Sequence, residues 1–165
     1  MAHAQQSKQY KEYRLLNVYR NISAELREKI VSLWQRNHVL PAGADPYQRV
    51  DEVAVLVLNP DNEVVGVSTV YIEFRPILKE DAFMFRMFIQ PQDRIAGMMT
   101  AVVKTTYALL NDYQMDNKPK SLMNINENPK LSRPGIRRQF ERVGYQYLGQ
   151  DQRGCDIWRW AFSNN

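Results

Sequence analysis

Pro91, Arg94 and Gly97 are the residues of this chain whose types and spacing best suit the binding of an anion. They lie in the run Ile89-Gln90-Pro91-Gln92-Asp93-Arg94-Ile95-Ala96-Gly97-Met98-Met99, which leads into a segment of helical periodicity. A helix N-terminus presents backbone N–H groups that lack intrahelical acceptors and carries a partial positive charge. Arg94 adds a full charge, and Gly97 lets a pyrophosphate approach the backbone closely. Many loops with a Pro, an Arg and a Gly also join strand to helix and bind nothing, so the spacing alone leaves both readings open. A second concentration of charge is Lys130, Arg133, Arg137, Arg138 and Arg142, in a chain of net charge +4. Such a stretch suits nucleic acid, an acidic protein or phosphate groups, and equally a solvated helix face. No recognisable nucleic-acid-binding motif accompanies it.

The elements that must position these residues follow from hydrophobic period. Phe83, Phe85, Met87 and Ile89 fall on one strand face, with Met84, Arg86 and Phe88 on the other, and Pro91 ends the pairing. Ile95, Met98, Met99, Val102, Val103, Leu109 and Leu110 then recur at threes and fours, which predicts a helix over about 94–113. Upstream, 13–19 reads as a first strand. Ser23 reads as an N-cap with Glu25 in the first turn, and Leu26, Ile30, Leu33 and Trp34 form a helical stripe. The Pro, Gly and Asp of 41–48 predict a loop. The apolar runs 53–58 and 64–72 flank Asn59-Pro60-Asp61-Asn62 as a hairpin, and a polar turn over 75–81 leads to the strand 82–89. A strand at 121–125, a short helix, and strands at 145–148 and 156–162 complete the chain. The sum is α+β, a mixed and mostly antiparallel sheet flanked by helices.

With 165 residues, 44% of them hydrophobic, the chain suits one domain, expected over 13–165 after a polar, flexible tail over 1–12. No apolar run is long enough to cross a bilayer and the start lacks a signal-like segment, so no membrane partner and a soluble, cytoplasmic protein are expected. The lone Cys155 excludes an intramolecular disulfide. With only His3 and His38 as histidines, no metal is expected.

The run from Ile89 resembles motif A of the GNAT family of N-acetyltransferases, an apolar strand followed by V-x-P-x-x-[QR]-x-x-G-x-[GA] and a helix. Ile89, Pro91, Arg94 and Gly97 match in register, while Met99 stands where the family has a small residue. A second resemblance lies in Ile136-Arg137-Arg138-Gln139-Phe140-Glu141-Arg142-Val143-Gly144-Tyr145, similar to the family's short helix ending in Y-E-K-x-G-F. Lys120-Ser121-Leu122-Met123-Asn124-Ile125 sits where that fold has its fifth strand. The resemblance spans nearly the whole chain.

The resemblance implies a GNAT-like single domain and transfer of an acetyl or other acyl group from acyl-CoA, acetyl-CoA above all, to an amine of a small molecule or protein. Met87, Phe88 and Ile89 would line the acyl donor through their backbone. The pyrophosphate would fall on the amides of Arg94, Ile95, Ala96, Gly97, Met98 and Met99. Glu73, near the end of the third strand, is the candidate general base, with Glu80 and Asp81 as alternatives. Asn126 and Asn128 lie where the family has an Asn touching the pantetheine arm, and of the two the resemblance implies Asn128. Phe140 occupies the place of the Tyr that protonates the thiolate and has no proton to give. Met99 and Phe140 also fit the alternative of a catalytically inactive GNAT-like protein that engages an acidic protein or nucleic acid through 130–142. Homodimers are common in such a family, and the apolar final strand could serve one.

Overall fold

The computed structural model describes residues 6–163; the expectations for the first five residues of the tail, His3 among them, lie outside these. Among the described residues, eight strands and four α-helices make an α+β protein with a mixed, mostly antiparallel sheet. The chain packs as two compact units whose boundaries fall inside two strands and one helix. One unit comprises Met1–Val70 with Arg86–Leu109, and the other Tyr71–Phe85 with Leu110–Asn165.

In the first unit, β1 (Ser7–Tyr10) and β2 (Tyr13–Asn17) form a tight antiparallel hairpin in which Tyr10 faces Tyr13. This corrects the expected tail. Ser7–Tyr10 is a polar, mostly exposed strand, so it lacks the apolar alternation that would have marked it. β2 pairs with β3 (Val53–Leu58), and β3 with β4 (Val64–Arg75). Every residue of β3 is buried, which explains why its sequence is apolar without alternation. Against these strands packs α1 (Ala24–Arg36), started by the Ser23 hydroxyl accepting the Leu26 N–H, a cap that contributes about 1 kcal/mol. Ile30, Leu33 and Trp34 of α1 join Val53, Leu56, Val64 and Val67 in one core.

The expected loop over 41–48 contains a one-turn helix, α2 (Pro46–Arg49), capped by Asp45. β5 (Glu80–Ile89) ends just before Gln90, whose amide still donates to Val65 O. A 3-10 turn over Pro91–Asp93 follows. The long helix α3 (Met98–Asp112) therefore begins at Met98 rather than at Arg94, because residues between the turn and Gly97 are spent on the loop. Its buried line is Met98, Val102 and Thr106, the last with its hydroxyl 2.7 Å from that of Ser68 on β4.

In the second unit β5 runs parallel to β6 (Ser121–Asn126) through Phe83↔Leu122 and Met84↔Met123. β6 pairs along its whole length with β8 (Asp156–Ala161), which pairs on its other edge with β7 (Gln146–Gln150). The final strand is thus paired on both sides and offers no free edge to a second copy. Between β6 and β7 lie a 3-10 turn over Pro129–Ser132 and then α4 (Pro134–Val143). Ala82, Met84, Met123 and Ile157 form the core here. Among the described residues no helix is long and apolar enough to cross a membrane.

Candidate active site

The first unit contains the strand–loop–helix passage that the sequence singled out. Met87 and Phe88 are half-buried on β5, and Ile89 is buried. Gly66 on β4 admits this strand closely: a Cβ there would meet Phe88 O at 3.1 Å. Past Gln90 the loop is tied down from two sides. The buried Asp93 carboxylate accepts the Gln90 side-chain amide at 2.5 Å and the Tyr13 hydroxyl at 2.7 Å. That hydrogen bond to Asp93, with some burial, pushes the Tyr13 phenol up to about 12. Gln90 is itself held, its side-chain oxygen accepting Arg36 Nη2 at 3.3 Å.

Further along, the Ala96 carbonyl accepts two donors from the β1–β2 hairpin, the Tyr10 hydroxyl at 2.7 Å and Lys11 Nζ at 3.1 Å. Gly97 has φ +79°, a left-handed conformation that few side chains tolerate, and the Tyr10 hydroxyl occupies the place of its missing Cβ. The motif assigns that space to an approaching anion; the structure gives it to Tyr10. Arg94 is exposed, with Nε donating to Ile89 O at 2.7 Å and its guanidinium 5.9 Å from the centre of the Phe88 ring. Its charge stays at the loop while one donor closes it. Ile95 is half-buried and Met98 fully buried, so the loop enters α3 through the core. Met99 does not follow Met98 inward: it is 46% exposed in the first turn of α3.

The other sequence candidates belong to the second unit. Glu73 is exposed on β4 and pairs with Arg75 at 2.7 Å. Glu80 is committed to Arg159 at 3.3 Å and Lys120 at 3.9 Å. Asp81 is exposed. Asn128 caps the turn over Pro129–Ser132, its side-chain oxygen accepting the Lys130 N–H. Asn126, the last residue of β6, is buried, and its side-chain NH₂ has no partner among the described residues. A buried donor without an acceptor is unfavourable unless a ligand or water completes it.

Phe140 packs between Tyr145 and Trp158, with ring centres 5.2 and 5.1 Å away. Tyr145 is core: its buried hydroxyl donates to Asn124 Oδ1 at 2.6 Å, and burial pushes its phenol far up. The basic stretch divides. Arg137 makes a two-pronged bond to the fully buried Asp156, both contacts at 2.9 Å, whereas Lys130, Arg133, Arg138 and Arg142 are exposed. Burial works against the Asp156 carboxylate, but donors from Arg137, Gln150 and Ser132 outweigh it and hold its carboxyl below the usual range.

Sequence reading missed Tyr10, Lys11 and Tyr13, which reach the loop from more than 75 residues upstream. No local signal in the sequence could have placed them there.

No protein-family model matches the sequence, and no curated protein matches it. Solved structures do match the fold. A ribosomal-protein-S5-alanine acetyltransferase from Vibrio fischeri superposes with a TM-score of 0.65 at 12% identity, covering 96% of this chain and 97% of that one. A GNAT-family acetyltransferase from Listeria monocytogenes superposes with 0.64 at 14% identity, covering 94% and 99%. A GNAT superfamily phosphinothricin acetyltransferase from Sinorhizobium meliloti, in complex with AcCoA, superposes with 0.62 at 8% identity, covering 92% and 89%. The β-strand, loop and helix that resemble motif A thus stand in a chain that has the GNAT fold.

Proposed function

We propose that the protein is an N-acyltransferase that takes an acyl group from acyl-CoA and passes it to an amine of a small molecule or protein. The observation that carries this reading is the passage from β5 through Pro91–Asp93 and Gly97 into α3, tied down from Gln90 to Ala96, within a fold shared with acetyltransferases. Of the amides from Arg94 to Met99, those of Arg94, Ile95 and Met98 donate within the loop to Pro91 O, Asp93 O and Ile95 O, so those of Ala96, Gly97 and Met99 would take the diphosphate, with Arg94 supplying charge. The strand backbone from Met87 to Ile89, at the end of β5, would align the thioester. Asn126, whose buried NH₂ has no partner among the described residues, and Asn128, whose oxygen caps Pro129–Ser132, would each offer a side-chain NH₂ to a carbonyl such as that of the pantetheine arm.

The donor supplies an activated thioester carbonyl. The chain's own part is to orient it and to take a proton from the incoming amine. Glu73 is the proposed base, directly or through water. Because α4 carries Phe140, the Tyr145 hydroxyl donates to Asn124 and the Tyr147 hydroxyl to Asp156, we assign the proton for the departing thiolate to solvent.

Calorimetry with acetyl-CoA, using free CoA and ATP as comparisons, tests the reading. Micromolar binding that distinguishes CoA species from ATP supports it, and no binding at millimolar acetyl-CoA overturns it. A second reading, a non-catalytic GNAT-like protein that binds an acidic protein or nucleic acid, draws on the exposed Met99 beside the loop and on the exposed Lys130, Arg133, Arg138 and Arg142. It predicts salt-dependent binding lost in Arg138→Glu/Arg142→Glu. Arg137 is unsuitable for that test, since it holds a buried carboxylate.

A further inference from the structure

The Ala96–Gly97 peptide stands at the entrance to α3, and its orientation decides whether the loop offers an anion a donor or an acceptor. A trans peptide is planar with C=O and N–H pointing in opposite directions. If the Ala96 oxygen turned inward it would oppose any phosphate; turned outward, it aims the Gly97 N–H the other way. Gly97 makes both orientations sterically accessible, because glycine alone accepts positive and negative φ with little penalty. Something outside the loop must select one.

We infer that the β1–β2 hairpin makes this selection, with Tyr10 and Lys11 acting as positioning residues for the diphosphate of the acyl donor. Both donate to the Ala96 oxygen, at 2.7 and 3.1 Å, and hold it on the hairpin side. The Gly97 N–H then faces away from the hairpin. The Tyr10 hydroxyl also fills the space beside Gly97, which blocks the return swing of the peptide. Lys11 does more than hydrogen-bond: its ammonium adds a full positive charge beside the loop, 5.5 Å from the centre of the Tyr10 ring. The turn is built for this placement at a cost, since Lys11 itself has φ +52°. The second tie, Tyr13 to Asp93, comes from the residue opposite Tyr10, so one cross-strand pair fixes both ends of the loop.

The inference rests on the acyl-donor reading, and an NMR titration of the full chain separates the two. CoA and pantetheine, which lacks phosphates, are the ligands, and the Gly97 amide is also followed without ligand. Tyr10→Phe and Lys11→Met should each weaken CoA by about three- to tenfold. Pantetheine affinity and melting temperature should stay as in the parent, and Lys11→Arg should restore CoA binding. Without ligand, the Gly97 resonance should shift or broaden in Tyr10→Phe as the peptide samples both orientations. Equal losses for CoA and pantetheine would reduce the hairpin to a structural support and overturn the inference. An unmoved Gly97 amide with unchanged CoA affinity would overturn it as well. Failure of the parent protein to bind CoA, with Gly97 still responding, would overturn the donor reading instead and remove the ligand that the positioning serves.

Discussion

The Tyr10 hydroxyl lies where a Cβ on Gly97 would be, and it donates to the carbonyl just before that glycine. A glycine that the motif assigns to a ligand is here matched to a side chain from another part of the same chain. Gly97→Ala should therefore do two things: impose left-handed strain and expel the Tyr10 hydroxyl. Strain alone costs about 1–2 kcal/mol. Gly43, with φ +84° and nothing within 4 Å of the place a Cβ would take, supplies the control. Thermal melting should show a larger loss for Gly97→Ala than for Gly43→Ala, and only the former should lower CoA affinity.

Tyr13 gives the hairpin a pH dependence. Its phenol is raised from 10.0 to about 12, mainly by the hydrogen bond to Asp93. A folded value above the unfolded one means that the contribution is complete below pH 10 and disappears as pH climbs toward 12. The stability gap between the parent and Tyr13→Phe should stay constant from neutral pH to about 10 and close above it. Urea unfolding at stepped pH measures this; a gap that persists at pH 12 would detach Tyr13 from Asp93.

Local pattern made some of this architecture legible and distance hid the rest. The Ser23 cap, the strand ending before Pro91 and the order of strands from β2 to β8 are written in neighbouring residues, as is the departure at Phe140. The hydrophobic stripe puts the start of α3 four residues early because Ile95 fits it while serving the loop. Asp45-Pro46, a capping residue followed by proline, signals the α2 turn that loop composition obscured. Asn128-Pro129 carries the same signal, and it makes Asn128 a cap. Contacts such as Tyr10 with Ala96 and Arg137 with Asp156 have no periodic signature at all. A basic stretch reads the same whether its arginines face solvent or reach a buried carboxylate.

Arg137 and Arg138 separate those two cases experimentally. Asp156 is fully buried and depends on Arg137, Tyr147, Gln150 and Ser132 for its partners. Asp156→Ala strands these donors and should cost on the order of 3 kcal/mol in urea unfolding. Arg137→Glu should be severely destabilising, while Arg138→Glu, on an exposed position, should change stability little. The sign with pH is fixed: a depressed carboxyl stabilises above the usual carboxylate range and loses that contribution as pH falls through its folded value. Acid unfolding of Asp156→Ala should therefore begin from a lower plateau and vary less with pH.

Glu73 is the sharpest test of chemistry. Its carboxylate pairs with Arg75 on an exposed stretch of β4, so removing its charge should leave melting nearly unchanged, as exposed pairs contribute little to stability. Were it the proton acceptor for the amine, Glu73→Gln would lower kcat by about a hundredfold, the usual contribution of a positioned base, with the KM for acetyl-CoA unaltered. Arg75→Gln separates this from an indirect effect, because it frees the carboxylate without deleting it and should keep most of the activity. If Glu73→Gln keeps its kcat, and the rate instead follows the free amine's own titration, then water or hydroxide takes the proton and the fold contributes alignment of the donor alone.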